Sequence, residues 1–232
     1  MLTKNHENLT LEVQRHIEAD AVVQGEYWDG SKGCFIGCLA HSNDPTKLGD
    51  LYGLPLPLVR ICENIFEGLP ANEAKAFFAA IPEAVGRDGK DLSRVHWTFL
   101  ASELRALPKV DDLVQAVIDP VIEGMDLLAS GGHWSKESAT YAHAAARDAA
   151  RAASAHAAYT SADAASMAAT TASVARDHAA HIPRSATHAA ARAARAARAA
   201  RAAAHRAAYT AYAYADARMR QRDTILRLIA EA

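Results

Sequence analysis

Ala191-Arg192-Ala193-Ala194-Arg195-Ala196-Ala197-Arg198-Ala199-Ala200-Arg201 is the centre of an alanine-rich tract, and its reading decides the fold. Alanine has the highest helix propensity of any residue, so such a tract is helical rather than extended. Neither Pro nor Gly occurs from Ser138 to His181, nor from Ser185 to Ala232. Between these runs stands Pro183, which breaks a helix and pushes Ile182 away from helical angles. The spacing therefore predicts two helices of about 43 and 46 residues, roughly 65–70 Å long at 1.5 Å per residue. They would form a long antiparallel hairpin turning near Pro183. Each Ala buries little apolar area. Such a hairpin leans on the rest of the chain or on a second copy, which predicts a homo-oligomer.

Outward from this tract the composition changes sharply. The 232 residues contain 55 Ala, and 40 of them lie between 139 and 218. Formal net charge is −2, but residues 1–138 carry 12 Lys and Arg against 21 Asp and Glu, while residues 139–232 carry 13 against 6. An acidic half with balance −9 is joined to a basic half with balance +7, and every basic residue of the latter is Arg. No run of about 18 apolar residues escapes charge, so no transmembrane helix is expected. Met1 to Asn8 is polar and has no targeting character. Three Cys without a secretory signal fit free thiols in a reducing compartment, and cytoplasm is the expected location.

The first half reads as short helices punctuated by Gly and Pro. Leu9, Val13, Ile17 and Ala21 recur every four residues and make one apolar stripe. Gln24 to Gly33 is a turn-rich loop, and Ser31 is placed to cap a helix from Lys32 to His41. Asp44-Pro45 opens a short helix closed by Gly53, and Pro57 opens the next. Further helices are predicted over Pro70–Ile81, from Asp91 to Leu107, and from Asp111 to the Gly131-Gly132 pair, the last kinked at Pro120. The apolar run Cys34 to Leu39 is short enough to be a buried strand instead, since periodicity does not settle six residues. The expected fold class is all-α: a compact helical domain over 1–134 followed by the alanine- and arginine-rich hairpin over 135–232.

Three groups of residues suggest chemistry. On a helix, Cys34, Cys38 and His41 stand at i, i+4 and i+7 on one face. They are a candidate metal or thiol site, although this is not a standard zinc spacing and small buried Cys also suits close packing. No cofactor is called for, and zinc is the one candidate. The loop Gly25 to Gly33 carries Tyr27, Trp28 and Lys32 ahead of a helix N-terminus, a setting that suits an anionic, planar ligand such as a nucleotide. The arginine row Arg192, Arg195, Arg198 and Arg201 spans about 180° of helix surface, since each step of three residues drifts 60°. Arg offers bidentate contacts to carboxylate or phosphate. The row would clamp the acidic half of this chain or of a partner, or bind phosphates. A sequence pI of 6.6 weighs against nucleic acid.

The string Gln24-Gly25-Glu26-Tyr27-Trp28, Gly30-Ser31-Lys32-Gly33-Cys34, Gly37-Cys38 and His41 resembles a family of uncharacterised bacterial and bacteriophage proteins. Leu54-Pro55, Ile65-Phe66-Glu67-Gly68-Leu69 and the closing Arg222-Asp223-Thr224-Ile225-Leu226-Arg227-Leu228-Ile229 extend the likeness over most of the chain. The resemblance implies a phage or mobile-element setting and no reaction. The resulting expectation is a non-enzymatic binding protein that sequesters an anionic, nucleotide-like ligand at Tyr27, Trp28, Lys32 and the Arg row, or inhibits a host factor. The alternatives are an oligomeric interaction module that engages a protein partner, and a thiol- or metal-dependent enzyme at Cys34, Cys38 and His41.

Overall fold

A computed structural model describes residues 1–107, 112–155 and 211–232. Among them the chain is all-α, with two isolated bridges, Leu2 with Asp91 and Val22 with Gly33, and no strand. The helices are α1 (His6–Glu18), α2 (Phe35–Ala40), α3 (Lys47–Tyr52), α4 (Leu56–Gly68), α5 (Ala71–Val85), α6 (Val95–Arg105), α7 (Asp112–Ala129), α8 (Lys136–Ala155) and α9 (Ala211–Glu231). No described helix is long and apolar enough to cross a membrane. The expected turn at Pro183 and the row Arg192, Arg195, Arg198 and Arg201 lie outside the described residues.

The described residues group into two compact units. The first comprises Met1–Val95 with Arg218–Ala232, the second His96–Ala217. The domain boundary expected between residues 134 and 135 falls inside the second unit. In the second unit, α7 and α8 pack together over Val114, Ile118, Val121 and Met125, with Trp134, Ala139, Ala142 and Ala146 completing the same buried cluster. Here Ala at every third or fourth position presents a flat helix face to larger neighbours.

The first unit is built around α2, whose six residues are all buried. A helix buried on every side has no polar stripe. This explains why periodicity left Cys34 to Leu39 open between helix and strand. Phe35 is 1 % exposed and touches three other rings, Phe66 of α4 and Phe77 and Phe78 of α5, at centroid distances of 6.1, 6.1 and 5.9 Å. Four buried Phe side chains contribute about 1.5–3 kcal/mol each. Leu9 and Val13 of α1 point into the same core, while Ile17 is half-buried.

Several boundaries differ from the pattern reading for physical reasons. The second helix starts at Phe35 rather than Lys32, because Gly33 is held in extended pairing with α1's exit. Its N–H donates to the Ala21 carbonyl at 3.0 Å, and its carbonyl accepts from the Val23 N–H at 3.0 Å. The fifth helix runs past Ile81 through Pro82 to Val85, and the Pro82 carbonyl bonds the His6 ring at 2.8 Å. Asp91 does not open α6. It accepts from the Ser93 N–H in a turn, and the helix begins at Val95.

The last residues of α9 are fixed by polar contacts. The Lys90 ammonium donates to the carbonyls of Ile229 and Ala230 at 2.8 and 2.9 Å, where the helix leaves them without partners. Arg222 pairs with Glu73 of α5, an ion pair between the basic and the acidic half. Arg218 is 1 % exposed, and its guanidinium donates to Gln221 at 2.6 Å and to Asn64 of α4 at 3.1 Å. Gly68 makes room for it, since a Cβ there would lie 2.3 Å from Arg218 Nε. Gly68→Ala should therefore cost about 1–3 kcal/mol of stability through overpacking. Urea unfolding of the full chain measures this, and an unchanged midpoint would show that Arg218 repacks freely.

Candidate functional site

Glu12 and His16 stand one helical turn apart on α1, so both side chains leave the helix on the same face. The third member comes from α2. His41 is its C-cap, in the left-handed region at φ 46° and ψ 42°. An L-residue other than Gly or Asn is uncommon there, and the conformation costs about 1–2 kcal/mol. It ends the helix and turns the imidazole toward α1. Thus His41 leaves the helical register that would have aligned it with Cys34 and Cys38.

Trp28 forms one wall. Its ring stacks on His41 at 4.7 Å between centroids and 15° between planes, and meets the His16 ring edge-on at 5.6 Å and 89°. The indole comes this close because its backbone lies against two glycines. A Cβ at Gly37 would stand 3.2 Å from Trp28 N, and one at Gly33 3.2 Å from Trp28 Cα. Asn43 Oδ1 accepts from the Trp28 N–H at 2.9 Å and holds the loop in place.

Three donor atoms converge. His41 Nε2 lies 3.1 Å from His16 Nε2 and 3.2 Å from Glu12 Oε2, and His16 Nε2 lies 3.7 Å from Glu12 Oε2. Among the described residues, Glu12, His16 and His41 are the group that could hold a metal ion. Arg15 closes the cluster. Its Nη2 is 2.9 Å from His41 Nε2 and also meets the Glu12 carboxylate.

Arginine only donates, so the His41 Nε2 facing it presents a lone pair. Burial first, then the His41 and Arg15 charges, hold the His16 pKa below its ordinary 6.5, against opposing contributions from Glu12 and the Cys38 backbone.

The other predicted site residues take different positions. Cys34, Cys38 and Cys62 are free and buried. Burial raises the Cys34 pKa, and it pushes those of Cys38 and Cys62 up to about 12. The Cys38 thiol donates to the Gly33 carbonyl at 3.2 Å. Thiols so protonated are poor nucleophiles and poor metal ligands. Tyr27 is 67 % exposed, and the Lys32 ammonium faces Glu26 at 3.2 Å. Asp29 accepts from the Ser31 and Lys32 N–H groups at 2.8 and 2.9 Å, which satisfies the backbone donors expected to meet an anion. Those bonds hold the Asp29 pKa below its usual range. Glu12 and His16 were not singled out from the sequence. The available signal was an i, i+4 carboxylate and imidazole pair beside the apolar stripe of α1.

A comparison of the chain with protein-family models, with curated proteins and with solved structures finds no match.

Two outcomes follow from this geometry. Ellman's reagent at pH 8 should find no reactive thiol in the native protein and three after denaturation, because the native thiols stay protonated and covered. Rapid reaction of one native thiol would contradict the packing. Gly37→Val should push Trp28 off the histidines and destabilise the fold by about 1–3 kcal/mol in chemical denaturation. An unaltered midpoint would show that Trp28 does not depend on that gap.

Proposed function

We propose that this chain is a binding protein whose site takes a zinc-class divalent metal ion through Glu12, His16 and His41. The spacing of the three donor atoms carries the reading. Zinc–nitrogen and zinc–oxygen bonds are about 2.1 Å, which puts ligand atoms about 3.4 Å apart in a tetrahedron and about 3.0 Å apart at right angles. The separations of 3.1, 3.2 and 3.7 Å lie within about 0.3 Å of those values. Two imidazoles and one carboxylate are a donor set that suits zinc and neighbouring transition metals rather than calcium or magnesium.

The surroundings support the same reading. Trp28 covers one face of His41 and limits its rotation. Three protein donors leave a fourth position open to an external group. The anionic ligand expected from composition enters there, at a metal ion, rather than at the engaged donors of the Lys32 loop.

Isothermal titration of Zn2+ into the full, chelator-stripped chain tests this. One site should appear, with a matching rise in melting temperature at saturating zinc. His41→Asn retains a residue that tolerates left-handed backbone and removes one ligand. It should weaken binding by more than the roughly 10- to 100-fold typical of outer-contact changes. Glu12→Gln should do the same. Absence of stoichiometric heat in the unaltered chain, or undiminished binding in both variants, would overturn the reading.

A further inference from the structure

We infer that Arg15 sets the metal affinity of this site, its guanidinium being a resident cation that must leave the donor set when a metal ion enters. The inference rests on the metal reading above and adds a residue that competes for the site. Its basis is a shared set of atoms. Arg15 Nη2 lies 2.9 Å from His41 Nε2 and pairs with Glu12 Oε2, so one nitrogen engages two of the three candidate ligand atoms.

These contacts and metal coordination exclude one another at His41. An imidazole nitrogen has a single lone pair, and it serves either the guanidinium N–H or a metal ion. The guanidinium is the positive charge that lies against the His41 lone pair and the Glu12 carboxylate.

The exit is open. The Arg15 side chain is 57 % exposed, whereas those of Glu12 and His16 are 18 % and 6 % exposed. Glu12 and His16 stay where α1 holds them, and His41, 42 % exposed, is stacked on Trp28, so the guanidinium is the group that swings into water. Its pairing with Glu12 is an i, i+3 contact at the surface, a class of weak interaction. The competition should therefore lower metal affinity modestly and reversibly rather than block the site.

The test compares Zn2+ titrations of the unaltered full chain, Arg15→Ala and Arg15→Met, each at 0.05 and 0.5 M NaCl, with circular dichroism melts to confirm folding. Both variants should bind zinc about two- to fivefold more tightly, the scale of the surface ion pair that metal entry breaks. The gain should shrink at 0.5 M NaCl but remain measurable, because direct occupancy of the His41 nitrogen is not screened as distant charges are. A gain that vanishes at high salt would mark screened, long-range repulsion instead and would overturn the role of Arg15. Equal or weaker binding by both variants would overturn it too, while leaving the metal reading intact. Failure of all three proteins to bind zinc would overturn the metal reading itself.

Discussion

The complete burial of α2 is the constraint on which the first unit depends. Six residues from Phe35 to Ala40 are covered on every side, which is possible only because the helix is short and carries no charge. Phe35 at its start brings α4 and α5 together through their Phe side chains. Gly37 in its middle admits the Trp28 backbone. At its end the chain must leave the core at once, and the left-handed turn at His41 does this. The apolar environment that buries the helix also fixes where an imidazole emerges.

The cost of that exit is offset by the contacts His41 gains. It is packed by Trp28 and meets His16, Glu12 and Arg15 through one nitrogen. None of these is strong alone. Together they hold a residue in a backbone region that few side chains occupy. The paired glycines Gly33 and Gly37 belong to the same arrangement, since they determine how closely the indole approaches the histidines.

The all-helical class was legible in the sequence because alanine content, helical periodicity in α1 and α4, and proline and glycine punctuation agree. Gly53 closes α3 as its position implied. The start of α2 was misplaced by three residues, because pairing of Gly33 with Ala21 and Val23 is a non-local contact that no periodicity reports. The site was half legible. His41 and Trp28 were singled out, but as a helix-face partner of two cysteines and as part of an anion loop. Their neighbours, Glu12 and His16, lie at least 25 residues before His41 and at least 12 before Trp28, and read as the polar edge of an amphipathic helix. The left-handed turn that joins the two groups has no sequence signature in a histidine. Cys34 and Cys38, the more conspicuous motif, are buried, and burial raises the pKa of both thiols.

The acidic and basic halves acquire a more specific meaning. Arg222 and Glu73 join them directly, and Arg218 is accommodated beside Asn64 and Gly68 without needing a surface position. At the site the same logic recurs on a smaller scale, with Arg15 supplying charge to a group of acceptors. The most direct test of the central claim is anomalous diffraction at the zinc edge from crystals grown with stoichiometric Zn2+. The account predicts a peak about 2.1 Å from Glu12 Oε2, His16 Nε2 and His41 Nε2, with Arg15 displaced from His41. A peak elsewhere, or none at that position with the Arg15 contact intact, would contradict it.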